Sequence, residues 1–380
     1  MQISSKLPDV GVTIFTVMTQ LSIESGAINL SQGFPDFDAD PKLKELVWKY
    51  MQAGQNQYAP MQGIPALREK IAAKTLDLYG HACDPATEVT VTAGATEGLF
   101  AAITAAVKPG DEVIIVEPAY DAYVPVIELN GGRPVFVKMT FPDYRVDWVA
   151  MKSALSANTR MIILNSPHNP TGAILSRKDM QSLSDLVAGT DILIISDEVY
   201  EHIVFDDRQH ESILRYPDLA GRSFVISSFG KTYHTTGWKV GYCIAPQALS
   251  VEFQKVDQFL TFAVNTPVQF AYADFLDNRE AFLGLATFYQ KKRDLFLSLI
   301  EGSRFKALPC FGTYFQMLDY ADISDAPDIE FARTITTEHK VAAIPPSVFY
   351  HDGTDARVLR FCFAKNDDTL KEAAERLCRI

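Results

Sequence analysis

Short apolar runs alternate with helical patterns through the middle of this chain, and that alternation restricts the fold more than any other feature. Val89–Thr92, Glu112–Glu117 (EVIIVE), Pro134–Lys138, Arg160–Leu164, Ile192–Ser196 and Phe224–Ser227 are nearly continuous in apolar residues. Strands that read this way are covered on both faces. Helical patterns such as Ala95–Val107 and the stretch running to Leu129 separate most of them. The alternation predicts an α/β fold with a mostly parallel sheet flanked by helices. Past about Pro246 long helical patterns dominate through Glu301. Strand candidates at Phe305–Pro309, Thr313–Asp319, Val341–Ile344 and Val358–Ala364 follow, with helices at Ile329–Lys340 and Asp368–Arg379. This part predicts a smaller α+β domain. The division expected is an N-terminal arm over 1–37 that joins the small domain, a large domain over 38–285 and a small C-terminal domain over 286–380.

The length of 380 residues suits two domains. Hydrophobic residues make up 47%, enough for a sizeable core. The net charge of −12 opposes binding to nucleic acid or an anionic membrane, though a local positive pocket for a small anion stays open. The five cysteines, Cys83, Cys243, Cys310, Cys362 and Cys378, form no CxxC pair. Their odd number and scatter predict reduced thiols in a cytoplasmic protein. No signal-peptide pattern opens the sequence, and no run approaches the ~20 apolar residues needed to span a bilayer.

In open α/β sheets ligands sit beyond the carboxyl ends of the strands. Five segments there carry chemistry. In SSFGKTYHTTGWKVG, Lys231 follows an apolar strand and a small-residue turn, with Ser228 three residues before it and Lys239 eight after. A hydroxyl and a second ammonium beside a lysine suit an anchored anion next to a reactive amine, and a desolvated lysine among cations becomes nucleophilic. In DILIISDEVY, Asp197 ends an apolar strand, where a carboxylate is costly unless paired. A helix cap or a salt bridge would account for it, and so would a cationic ring nitrogen. In NSPHNPTG, two prolines and a Pro-Thr-Gly end make a rigid turn that presents Asn169 toward the strand ends. In VTAGATEG, a strand runs into Gly94 and a helix begins near Ala95, so that free backbone N–H groups and the positive helix end favour a phosphate there. Thr96 as a simple helix cap is the plainer alternative. In VLRFCFA, Arg360 lies among apolar strand residues, where its charge calls for a salt bridge or for a carboxylate bound by the guanidinium fork.

Taken in this order, the five segments resemble the class I/II aminotransferases, fold-type I enzymes dependent on pyridoxal 5'-phosphate (PLP). The resemblance runs from about Thr13 to the C-terminus and includes NLSQGFPDF, NQYAPMQGIPALREKIA, VTAGATE, NSPHNPTGA, ISDEVYEHI, SSFGKTYHTTGWKVGY and LRFCFAK. It is nearest to the branch containing methionine aminotransferases and kynurenine–oxoglutarate (glutamine K) aminotransferases, and within it to the bacterial methionine aminotransferases, through QYAPM and GKTYHTTGWKVGYC.

The resemblance implies that Lys231 holds PLP as a Schiff base and later moves the substrate proton, while Asp197 pairs with the pyridine nitrogen. It implies that Asn169 and Tyr200 hydrogen-bond the ring hydroxyl, that Tyr120 stacks on the ring, and that Ala95, Thr96, Ser228 and Lys239 hold the phosphate. Tyr58 would add a phosphate contact from the other subunit of a homodimer. Arg360, Asn169 and the Gly33 backbone would bind the substrate α-carboxylate. Many relatives have arginine where this chain has Lys239, which keeps the charge and loses the fork. The implied reaction is ping-pong transfer of an α-amino group to a 2-oxo acid, with no metal. Phe15, Phe34, Tyr58 and Phe262 are candidates for an aromatic wall around the side chain, Phe15 first by similarity to the kynurenine branch. Such a wall favours methionine, phenylalanine, tyrosine, leucine or kynurenine over aspartate. The rival readings are a kynurenine aminotransferase, a cysteine-conjugate C–S β-lyase on the same fold and, more remotely, an aminotransferase-like regulator domain.

Overall fold

The computed structural model describes residues 3–380. Twelve strands are present among them, in chain order β1 (Ile28–Asn29), β2 (Val89–Thr92), β3 (Glu112–Glu117), β4 (Arg133–Lys138), β5 (Thr159–Asn165), β6 (Leu193–Asp197), β7 (Ser223–Ser228), β8 (Gly241–Ile244), β9 (Lys306–Ala307), β10 (Phe315–Asp319), β11 (Val341–Ala342) and β12 (Val358–Cys362). The predicted strands of the middle region recur with ends shifted by a residue or two.

The central sheet has the order β2-β8-β7-β6-β5-β3-β4. Neighbours pair in parallel from β7 through β4, whereas β8 runs antiparallel to both β2 and β7. Strands β2, β3, β6 and β8 are buried along their whole length. The reason is visible in the side chains, which alternate between faces. Ile114, Ile162 and Ile194 pack with Met180 and Leu183 on one side. Val113, Ile115, Met161, Ile163 and Ile195 pack with Leu99, Ile103 and Ile127 on the other. Both faces therefore demand apolar residues, which is why these strands read as unbroken apolar runs.

A second assembly forms around the three-stranded antiparallel sheet β12-β10-β9. Its core joins Phe296, Phe331, Leu359, Phe361 and Leu370 to Met18 and Leu30 of the N-terminal arm. The arm begins with a helix, Ile14–Ser25, capped by Thr13 and closed by Gly26 in the left-handed region. It then enters β1, which pairs in parallel with β11. Of the strand expected over Phe305–Pro309 only Lys306–Ala307 pairs, at an exposed edge. Among the described residues no helix is long and apolar enough to cross a membrane. The five cysteines are all free, with Cys243 and Cys362 buried inside β8 and β12.

Candidate active site

A cavity of about 460 Å³ opens where the carboxyl ends of the central strands face the arm and the second sheet. Asn165, Asp197 and Ser228 are the last residues of β5, β6 and β7, and all three line it. Parallel pairing delivers them to one edge, with Asn165 directly opposite Asp197.

One end of the cavity is built for an anion. Gly94 has φ +81°, a conformation that side chains resist, and it turns the chain from β2 into the helix Ala95–Ala106. That helix has no side-chain cap, so its first N–H groups, at Ala95 and Thr96, are left to the cavity. Gly241 passes so close that a Cβ there would meet Ala95 N at 2.9 Å and the Ser227 carbonyl oxygen at 2.6 Å. Lys239, itself in the left-handed region, brings its ammonium to the same turn, 3.2 Å from where a Cβ on Gly94 would stand.

Lys231 sits in the short helical turn Phe229–Thr232 directly after β7. Its Nζ donates to the Tyr314 hydroxyl at 3.0 Å and to the Gly33 carbonyl at 3.2 Å, and Tyr314 in turn donates to Gly33 at 2.6 Å. Burial lowers its pKa to about 8, and the positive charges of Arg360 and Lys239 push the same way. A sizeable neutral fraction near physiological pH is what a nucleophilic or basic amine needs.

Asp197 is 4% exposed. Oδ2 accepts from the Tyr123 hydroxyl at 2.7 Å, and among the described residues no cation lies within ion-pair distance. Burial pushes its carboxyl up to about 6, opposed by the bonds from Tyr123 and the Val199 amide and by the charge of Lys231. Asn165 holds two site residues at once. Its Nδ2 donates to the Asp197 carbonyl at 2.8 Å, and its Oδ1 accepts from the Asn169 amide at 2.8 Å.

At the other end, Arg360 of β12 is fully buried. Its guanidinium donates to Asn169 Oδ1 and to the Ser31 carbonyl, both at 2.7 Å, and Nε has no partner. Its Cζ lies 3.9 Å from the Phe315 ring centre, 5.3 Å from that of Phe15 and 5.8 Å from that of Phe349. Burial lowers its pKa to about 10. Among the described residues it forms no salt bridge, and Asp121 is the acid whose charge reaches it.

Gly33, Phe15, Phe34, Tyr120 and Tyr200 also line the cavity. The Tyr200 ring stands edge-on to Tyr314, and its hydroxyl is held protonated by burial. The predicted site residues thus converge, with one exception within a single chain. Tyr58 is 82% exposed and lies outside the cavity, edge-on to Phe262, itself 55% exposed. Of the four aromatics expected to form a wall, only Phe15 and Phe34 do so here, and Phe315 is the ring that sequence reasoning missed. Tyr123, Asn165, Tyr314 and Gly241 were missed as well. A signal existed for Tyr123, one helical turn beyond Tyr120 in the same EPAYDAY segment. Tyr314 and Phe315 carried none, because an aromatic pair entering a strand reads as core.

A model of the family described as aminotransferase class I and II matches residues 25–377. The chain belongs to this family. Methionine aminotransferase of Escherichia coli K12 is 52% identical over 377 residues, covering 99% of this chain and 98% of that one. A crystal structure of the Escherichia coli protein with methionine aminotransferase function superposes with a TM-score of 0.98 at 51% identity, covering both chains fully. The kynurenine–oxoglutarate transaminase of Dictyostelium discoideum is 34% identical, covering 99% of this chain and 96% of its own. As an aminotransferase of this family the protein is a fold-type I enzyme, and the mostly parallel sheet flanked by helices is the scaffold of that type.

Proposed function

We propose that this aminotransferase moves the α-amino group of methionine, and of other apolar or aromatic amino acids, to a 2-oxo acid in a ping-pong reaction dependent on PLP. The observation that carries the reading is the set of unmatched partners around one cavity. A helix N-terminus with Lys239 seeks an anion, a buried Asp197 seeks a cation, and a buried Arg360 seeks a carboxylate. A phosphate and a pyridinium nitrogen answer the first two, and an amino-acid carboxylate answers the third.

The residues fit PLP in the following roles. Ala95, Thr96, Ser228 and Lys239 would hold its phosphate, Tyr120 its ring face, and Asn169 and Tyr200 its ring hydroxyl. Lys231 would hold it covalently through Nζ. Bound in this way, PLP supplies an electron sink for the electrons of the substrate Cα–H bond. Asp197 would keep a proton on the ring nitrogen, which that sink requires. The Lys231 Nζ would take the proton from the substrate Cα and return it, a role its lowered pKa suits. Arg360, with Asn169 and the Gly33 N–H, fixes the α-carboxylate and so selects which bond at Cα is aligned for cleavage. Phe15, Phe34 and Phe315 leave room for an apolar side chain beside Arg360. The 52% identity to a methionine aminotransferase supports methionine as first substrate. Tyr58 is exposed as a residue completing a partner's site would be, and we propose a cytoplasmic homodimer with domains over 1–37, 38–285 and 286–380.

The test is a panel of methionine, phenylalanine, kynurenine and aspartate with several oxo acids, beside Lys231→Ala. Methionine and phenylalanine should outperform aspartate, and Lys231→Ala should lose turnover while retaining some cofactor. Preference for aspartate overturns the substrate reading. Pyruvate and ammonia released from a cysteine conjugate without an oxo acid would point to C–S lysis. Ordinary turnover by the variant overturns the assignment of the lysine.

A further inference from the structure

Glu117 is a carboxylate that the chemistry above does not use. It ends β3 and is 1% exposed. Both of its oxygens are taken by one residue from beyond the central sheet. Oε1 accepts from the His351 backbone N–H at 2.6 Å, and Oε2 faces His351 Nδ1 at 2.9 Å. The imidazole lies flat on Phe136 of β4, with ring centres 4.2 Å apart and planes 2° from parallel. One residue on, Asp352 pairs with Lys138 of β4 at 2.6 Å. Two residues back, the Phe349 carbonyl accepts from the Ala119 N–H at 2.8 Å. The segment 349–352 is therefore strapped to the ends of β3 and β4 at four points.

The strap bears on the site through Phe349. That ring is buried, 6.0 Å from Phe15 and 5.8 Å from the Arg360 Cζ. Its backbone partner Ala119 directly precedes Tyr120, which lines the cavity. The Arg360 guanidinium is held by two hydrogen bonds and by ring faces, and among the described residues no carboxylate lies within ion-pair distance, although the charge of Asp121 reaches it from further away. Its attitude depends on where those rings stand, and a binding fork tolerates only about 10–20° of error.

We propose that Glu117 and His351 form a positioning pair for the substrate carboxylate. They touch no substrate. They set Phe349 against Phe15 and so fix the guanidinium fork of Arg360. The proposal rests on the reading of Arg360 as the carboxylate clamp.

His351→Ala removes the ring donor and the stack on Phe136 but leaves the backbone bond to Glu117, and a half-exposed ring is dispensable for folding. The measurements on holoenzyme are calorimetric binding of 4-methylpentanoate, a carboxylate without an amine, and KM and kcat for methionine. His351→Ala should weaken carboxylate binding and raise KM by roughly tenfold, as a misplaced binding group does. The value of kcat and the visible absorbance of the bound cofactor should stay within about twofold. His351→Asn, whose amide nitrogen stands near the Nδ1 position, should recover most of the loss. Binding within twofold of the parent in His351→Ala overturns the proposal, as does a loss that His351→Asn fails to rescue or that falls on kcat alone. Arg360→Gln separates the two readings. If it weakens carboxylate binding while His351→Ala does not, only the strap is refuted. If it leaves binding unchanged, the clamp itself is refuted.

Discussion

Replacing Arg360 by lysine keeps the charge and removes the fork. In the parent, two guanidinium nitrogens donate at 2.7 Å, one to Asn169 and one to the Ser31 carbonyl, while the plane rests on Phe315 at 3.9 Å. A lysine Nζ is a single point that cannot reach both acceptors and a carboxylate in one geometry. Hydrogen bonds to a charged partner are worth about 1.5–3 kcal/mol each. Losing one of two bonds to the substrate carboxylate, together with the stacking that orients the group, comes to ~2–4 kcal/mol. At about 1.4 kcal/mol per decade, kcat/KM should fall by about 30- to 700-fold. The decisive feature is uniformity. Every amino donor and oxo acid shares the carboxylate, so the ratio of kcat/KM for methionine to that for phenylalanine should stay within about threefold. Steady-state kinetics on both donors checks this. A loss below fivefold, or a large change in that ratio, would show that Arg360 does not hold the common carboxylate.

Three further outcomes follow from the same geometry. Asp197 is buried with its carboxyl raised to about 6 from 3.8, so its contribution to stability is present in full below about pH 4 and is lost as pH rises through 6. In protein stripped of cofactor, Asp197→Asn should therefore gain on the parent across that window and level off near 3 kcal/mol at pH 8 in urea unfolding, even though it is inactive. A pH-independent difference would count against the burial argument. Lys74→Met should lower stability by about 3–5 kcal/mol, because it strands Glu201, 2.8 Å from Nζ and with its side chain 4% exposed, without its cation. A loss under 1 kcal/mol in denaturant unfolding would refute this. Gly241→Ala drives a methyl into the Ser227 carbonyl and the Ala95 amide, so cofactor affinity measured by absorbance titration should drop at least tenfold, with kcat at saturating cofactor little changed. Unchanged affinity would mean that the Ala95 amide plays no part in holding the phosphate.

Much of this site is legible in the linear sequence because each chemical group ends a strand. Asp197 and Ser228 finish β6 and β7, and parallel pairing alone gathers them at one edge. Arg360 stands out for a different reason, as a charge inside an apolar run. What stayed hidden is what depends on neighbours remote in sequence. Strand β8 inserts antiparallel between β2 and β7, and nothing local in GYCI sets its direction. Tyr314 and Phe315 reach Lys231 and Arg360 only because β10 pairs with β12, with Met317 opposite Arg360. Glu117 reads as an ordinary strand-end acid until His351, far along the chain, closes on it. Tyr58 and Phe262 illustrate the opposite failure. They have the right residue type, but one chain leaves them facing outward.

The order in which the cavity's parts leave the ribosome has a consequence of its own. Within one chain the groups that would grip the cofactor, from Ala95 through Lys239, lie on the central sheet and the loops at its edge and are synthesised before residue 245. Arg360, which would grip the substrate carboxylate, is made well after them and takes its place on contact with Ser31 and Phe15, made well before them. Selectivity among amines therefore arrives only when a segment made early meets one made late.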